Sequence, residues 1–215
     1  MSKGDGGAAW TGDEPLILAS RSATRLHLLA SCGISAEPIA ADIDERSVET
    51  EERRRGALPS VLARRLASQK ALVVSRRQPG RLVLGADQML AHEDRSFAKS
   101  ATLAEAASRL AELAGKRHRL ISACALARDG VLVFEAAETA ELTMRELSKA
   151  EIAAYLETVG EQVLTSVGAY QVEGPGRLLF ERIEGDQAVI LGMPLTSLLA
   201  YLRSTGLIGF RARRR

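Results

Sequence analysis

Short apolar runs that break off into polar or glycine corners constrain this chain more than any other feature. Leu16-Ile-Leu-Ala19 passes straight into Ser20-Arg-Ser22, then into a helix carrying Leu26, Leu28 and Leu29 that stops at Gly33. Leu82-Val-Leu84 is a second such run, ending at Gly85-Ala-Asp87. Runs this short and this apolar read as buried strands, and their alternation with helical patterns marks an α/β chain.

The remaining elements follow from local signals. Residues 36 to 43 read as extended, ending in Asp42-Ile-Asp-Glu45, and the charged stretch from Glu49 to Gly56 reads as mobile. Pro59 starts a long helix, as proline can at a first helical turn. Thr102 with Glu105, and Ser148 with Glu151, are capping boxes for helices that end at Gly115 and near Gly160. Arg119 to Ala127, Val131 to Glu135 and Glu138 to Met144 read as strands, with a hairpin at Asp129-Gly130. A glycine-rich loop, Gly168 to Gly176, precedes two further expected strands, then Pro194 and a last helix to Gly206. The expected organisation is a disordered leader over 1–14, one domain over 15–208 and a basic tail over 209–215.

Bulk properties exclude several function classes. A net charge of +2 over 215 residues is too small to imply nucleic acid or a membrane as partner, and 4% aromatic content leaves few stacking platforms for single strands. Cys32 and Cys124 stand far apart, as do His27, His92 and His118, so a structural zinc site is not expected. No apolar run approaches the roughly 18 residues of a membrane span, and the first residues lack the apolar core of a signal peptide. The chain reads as cytoplasmic.

Three clusters could carry chemistry. Ser20-Arg-Ser-Ala-Thr-Arg25 lies where a strand turns into a helix, a corner whose free N–H groups suit anions. Read alone, Ser22 equally serves as a helix cap and Arg25 as a solvated charge. Gly85-Ala-Asp-Gln88 closes a buried strand at the edge where α/β sheets place ligands, although a turn aspartate would look the same. Asp42-Ile-Asp-Glu45 puts three carboxylates within four residues, a setting for a hard divalent cation or simply an acidic loop. Lys70 and Lys99, taken singly, are ordinary surface charges. There is no Gly-x-x-x-x-Gly-Lys loop, Gly-x-Gly-x-x-Gly fingerprint or Gly-x-Ser-x-Gly elbow.

Together, LILASRSATRLHLL, DIDE, RLASQKA, LGADQ, GKRHRLISACAL, GAYQVEGPG and ILGMPL, in that order from Leu16 to Gly206, resemble the Maf family. The resemblance implies an elongated α/β fold akin to inosine triphosphatases, with a central mixed sheet flanked by helices and a cleft between two lobes. It also implies a homodimer that cleaves a small-molecule nucleotide, a nucleoside triphosphate, to monophosphate and pyrophosphate with a divalent cation, Mg²⁺ or Mn²⁺. Asp87 matches the catalytic acid and Glu45 the acidic residue tied to metal and phosphate. Ser20, Arg25, Lys70 and Lys99 match residues around the triphosphate.

The chain departs from the family pattern in places. Ser22-Ala-Thr-Arg25 replaces Ser-Pro-Arg-Arg, and Ser100 follows Lys99 where the family has proline. Gln88 and Glu173 are similar to the branch acting on 7-methyl-GTP rather than TTP and UTP, though Thr24 stands where that branch carries Trp. The expected mechanism uses Asp87, Glu45 and Lys70 catalytically, with Asp87 and Glu45 holding the metal and Ser20, Thr24, Arg25, Gln88, Lys99 and Glu173 contacting substrate. A TTP or UTP pyrophosphatase, or a non-catalytic nucleotide-binding regulator of cell division, are the alternatives.

Overall fold

In the computed structural model, which describes residues 10–93 and 95–210, Leu16–Leu18 (β1) is wholly buried between two parallel neighbours. These are Ala36–Pro38 (β2) and the beginning of Val83–His92 (β3). Parallel partners need a crossover, and Ala23–Ser31 (α1) supplies the one between β1 and β2. Past β3 the sheet turns antiparallel. Arg117–Arg128 (β5) pairs with β3, then Val131–Met144 (β6) with β5 and Phe180–Glu184 (β7) with β6, giving the order β2-β1-β3-β5-β6-β7. Arg95–Phe97 (β4) pairs with the far end of β3. The expected mixed sheet flanked by helices is therefore present.

Apolar cores lie along both ends of the long strands. At one end Pro59–Arg77 (α3) lays Leu62, Ala63, Leu66, Ala67 and Ala71 on a floor of Met89, Ile121, Ala123 and Ala125. The opposite face of the same strands is covered by α1, Gln187–Ile190 (α6) and Leu195–Ser204 (α7). At the other end Leu103–Leu113 (α4) and Lys149–Val159 (α5) enclose Leu120, Leu142, Met144 and Tyr170. Alanines dominate the floor under α3, so helix and sheet approach closely. The closest approach is at Gly85, where a Cβ would stand 2.1 Å from the carbonyl oxygen of Ala67 and 2.7 Å from the nitrogen of Ala71.

Several local expectations hold. Ser148 and Glu151 form the full reciprocal capping box, and Pro59 opens α3. Asp129 and Gly130 both have positive φ, as a two-residue hairpin turn requires.

Others are corrected. The stretch from Glu49 to Gly56 belongs mostly to a helix, Glu45–Arg54 (α2), capped by Asp44. Its charges pair along the helix: Arg53 with Glu49 at 3.1 Å, and Arg55 with Glu51 at 2.9 Å. Spacing of three and four residues turns a run that looks too charged to fold into a surface helix. Val131 to Met144 is one strand, not two. After the glycine-rich loop a 3₁₀ turn leads to one strand, β7, and the second expected strand is the short helix α6.

Residues 10–14 of the expected leader are placed. Trp10 bridges Ile208, its N–H donates to Gly33, and the Thr11 N–H donates to Leu207. Residues 10–14 are thus placed against the end of the chain, because Trp10 gains a part-apolar site beside Leu207 and Ile208. Residues 1–9, and Arg211 to Arg215 of the expected tail, lie outside the described residues. Among the described residues no helix is long and apolar enough to cross a membrane.

Candidate active site

Alternate residues of a strand face opposite sides of a sheet. Asp87 falls on the side of β3 that α3 covers, and Lys70 falls on the buried stripe of α3 between Ala67 and Ala71. The two meet: Lys70 Nζ donates to Asp87 Oδ1 at 2.6 Å, and it pairs with Glu45 Oε1, from the start of α2, at 2.9 Å. Both members of the inner pair are nearly sealed from solvent, with side chains 9% and 8% exposed, whereas Glu45 is half exposed. Burial pushes the Asp87 carboxyl above its ordinary range, and Lys70 and Arg25 oppose that push. A buried ion pair contributes little to stability compared with apolar residues of like size. Its placement in a perturbed cluster makes this a candidate functional site.

The Ser20–Arg25 corner completes the cluster. β1 covers β3 only to Leu84, and β4 begins to cover it at Leu90, which leaves a break in the sheet edge between them. Arg25 fills that break. Its Nη1 donates to the Ala86 carbonyl at 2.9 Å and to Ser20 Oγ at 3.2 Å, and its Nε donates to the Gly192 carbonyl at 2.9 Å. Nη2 makes no hydrogen bond among the described residues. Burial lowers the guanidinium's pKa while Asp87 and Glu45 favour its charged form. Ser22 caps α1 by accepting from the Arg25 N–H. Ser22 is therefore a cap, and Arg25 is held by main-chain carbonyls and Ser20 instead of standing as a solvated charge.

The acidic cluster divides. Asp42 pairs with Arg21 at 2.7 Å and Asp44 caps α2, so only Glu45 reaches the site. Lys99, just past β4, stands at the surface. Partial burial and the repulsion of Arg25 and Lys70 nonetheless lower its ammonium's pKa, while Glu45 and Asp87 work in the other direction. All five charges thus share one field.

Glu49 was not singled out from the sequence. It lies one turn beyond Glu45 on the same face of α2; burial pushes it up, Arg53 opposes, and Asp87 and Glu45 add to the rise. The four-residue spacing from Glu45 was the available signal, hidden by the expectation of a mobile stretch.

Two expected base-reading residues lie elsewhere. Gln88 emerges on the face opposite Asp87, where its amide Nε2 lies 2.9 Å from the Ile190 carbonyl and 3.0 Å from that of Val189. That amide is engaged by α6, whose following Gly192 holds Arg25, so Gln88 lies on the face of the sheet opposite Asp87. Glu173 is exposed, on the loop beside Tyr155, whose hydroxyl it helps to keep protonated after burial. Thr24 is half-buried in the first turn of α1, with no side-chain hydrogen bond among the described residues.

The donor set accepts a divalent ion on one condition. Asp87 and Glu45 converge on a single ammonium, so their carboxylates already point at one region. No group of three His, Cys, Asp or Glu that could hold a metal occurs among the described residues. Two carboxylates suit Mg²⁺ when phosphate oxygens and water complete the shell. The residues thus fit an ion shared with a polyphosphate.

The model of the Maf-like protein family matches residues 15–205. The chain belongs to the Maf family. A nucleoside triphosphate pyrophosphatase of Rhodopseudomonas palustris is 51% identical over 93% of this chain and 98% of its own. One from Bradyrhizobium diazoefficiens is also 51% identical, over the same shares. A 7-methyl-GTP pyrophosphatase of Rhizobium etli is 49% identical over 90% of this chain and 97% of its own. A solved nucleoside-triphosphatase / dITP/XTP pyrophosphatase of Mycobacterium abscessus superposes at a TM-score of 0.36 and 19% identity, over 61% of this chain and 73% of that one. That likeness is too slight to build on.

Proposed function

We propose that this Maf-family chain is a nucleoside triphosphate pyrophosphatase that hydrolyses 7-methyl-GTP, or another modified nucleotide, to the monophosphate and pyrophosphate. The enzyme class rests on relatives named for it at about half identity over nearly the whole chain. The observation that carries the chemistry is the buried Asp87–Lys70 pair, joined by the half-exposed Glu45, with Arg25 held in the adjoining sheet break at the Ala86 carbonyl. A divalent ion held by Asp87 and Glu45 would supply Lewis-acid charge at the phosphates.

The chain's own groups do the rest. Asp87 accepts the proton of a water that attacks the α-phosphorus, and the bond to the bridging oxygen breaks as pyrophosphate departs. A carboxylate whose pKa is raised by burial is a stronger base than an ordinary one. Lys70 occupies Oδ1 of Asp87 and so holds the carboxylate in one orientation, leaving the other oxygen for the proton. The free Nη2 of Arg25 and the ammonium of Lys99 offset charge that gathers on the leaving group. Each charge-assisted contact is worth about 1.5–3 kcal/mol. The family resemblance adds a cytoplasmic homodimer to the proposal.

The base preference is supported by the Rhizobium etli relative and by Glu173. A carboxylate can accept both the N1–H and the exocyclic amine of a guanine, whereas uracil offers one N–H. Since Glu173 lies on its loop away from the cluster, changing it leaves the phosphate chemistry alone. Glu173→Gln is expected to lower kcat/KM for 7-methyl-GTP about tenfold or more, with a smaller change for UTP. Steady-state rates on both nucleotides decide it; an unchanged ranking removes Glu173 from base selection.

A further inference from the structure

The ring of Phe97, at the end of β4, has two guanidinium groups over it, Arg109 of α4 at 4.4 Å and Arg95 at 5.1 Å from its centre. They differ in what else they hold. Arg95 pairs with Glu112 at the surface. Arg109 donates from a single nitrogen, Nη1, to two main-chain carbonyls, Ala98 at 3.1 Å and Val167 at 2.9 Å.

Those carbonyls lie far apart in sequence. Ala98 immediately precedes Lys99. Val167 immediately precedes the Gly168–Gly176 loop that carries Glu173. The loop is internally tied. Ser166 Oγ accepts the Tyr170 N–H at 3.1 Å and donates to the Tyr170 carbonyl at 2.7 Å. The Tyr170 hydroxyl lies 2.7 Å from Nε2 of the buried His118, and the Tyr155 hydroxyl accepts the Gln171 N–H at 3.3 Å. At Gly176 a Cβ would lie 2.5 Å from the Gln171 carbonyl oxygen. A loop so tied follows Val167 as a body.

We propose that Arg109 is a positioning residue for nucleotide binding: by joining the main chain at Ala98 and Val167, it sets the spacing between Lys99 and the Glu173 loop. This rests on the proposed function, which gives Lys99 to the phosphates and Glu173 to the base. The residue type suits the task. A guanidinium lays its flat face on an aromatic ring while its edge N–H groups reach carbonyls in the ring's margin. An ammonium at the same place can do one or the other.

The test is steady-state kinetics of Arg109→Met and Arg109→Lys, in the parent and in a background carrying Lys99→Ala with Glu173→Gln. The substrate is whichever nucleotide the parent cleaves fastest, and each protein is also melted. In the parent, Arg109→Met is expected to raise KM about tenfold with kcat within about twofold, and Arg109→Lys to fall between. In the doubly changed background the KM rise is expected to shrink below about twofold, because residues that act through one another are not additive. Equal effects in both backgrounds, or a fall in melting temperature with KM unmoved, overturn the proposal. Should Arg109→Met fail to fold, Arg109→Lys carries the same comparison. If Lys99→Ala impairs the enzyme and Arg109→Met does not, the Arg109 proposal alone fails. If the parent cleaves no nucleotide, or Lys99→Ala with Glu173→Gln behaves as the parent, the functional assignment fails and Arg109's role with it.

Discussion

Asp87→Asn is expected to give a folded protein whose turnover is lower by about 10²–10⁴-fold, the usual contribution of a positioned general base. The substitution keeps the shape of the side chain and removes its capacity to take a proton. The fold survives because Lys70 retains a second partner, Glu45 at 2.9 Å, which is open to water. The same account makes a statement about pH. Burial raises the Asp87 pKa, so the carboxyl keeps its proton above the pH at which an ordinary aspartic acid loses it, about 3.9. The acid limb of the parent's rate profile is therefore expected above that value. The folded chain also binds this proton more tightly than the unfolded chain. Ionising Asp87 thus costs stability as pH rises through its folded pKa, and Asn abolishes that dependence. Pyrophosphate release and a thermal melt across pH check both parts. Near-normal turnover in Asp87→Asn would remove Asp87 from the mechanism.

Gly85→Ala is expected to disable the same site by a purely steric route. The added methyl would stand 2.1 Å from the Ala67 carbonyl oxygen and 2.7 Å from the Ala71 nitrogen. Both are main-chain atoms, so no side-chain rotation relieves the contact and α3 must move by roughly an ångström. Lys70 sits on the turn between those two residues, and the shift draws its ammonium away from Asp87. Overpacking of this kind costs about 1–3 kcal/mol or more, which for a chain of this size lowers the melting temperature by at least a few degrees. Activity is expected to fall further than stability, by about a hundredfold, since a misplacement near 1 Å costs that much in a preorganised site. Melting and kcat/KM measured together check it. A variant that melts and turns over like the parent would show that α3 and β3 can separate without disturbing the site.

These two residues show how far the sequence could be read. Asp87 read as closing a strand, where an α/β sheet presents its ligands, but β3 runs on to His92 and Asp87 lies within it, reached instead through the break in the sheet edge between Leu84 and Leu90. Gly85 lay in the same block, but its reason is the distance between β3 and a helix that starts at Pro59, which no local pattern reveals. Lys70 was legible only through the family resemblance; its burial was not, since that depends on which stripe of α3 meets the sheet.

Short-range physics was mostly legible. The Ser148–Glu151 box, the start of α3 at Pro59 and the Asp129-Gly130 hairpin depend on neighbours in the chain. Long-range physics was not. Three carboxylates over Asp42–Glu45 suggested one shared cation, whereas Arg21 and the N-terminus of α2 claim two of them. Gln88 looked like Asp87's partner in reading substrate, but the two-residue period of the strand sends it to the other face, onto α6. Glu49 escaped because its helix is held by charge pairs, and a charge-rich run carries no apolar stripe to announce it.

The central claim is most directly tested by pyrophosphate release from a panel of canonical and modified nucleoside triphosphates, each with Mg²⁺, Mn²⁺ or a chelator. The account predicts release that requires the metal and is fastest with 7-methyl-GTP. Release led by TTP or UTP would contradict the base preference while leaving the enzyme class in place. No release from any nucleotide with either metal would contradict the account as a whole and leave a nucleotide-binding protein without catalysis.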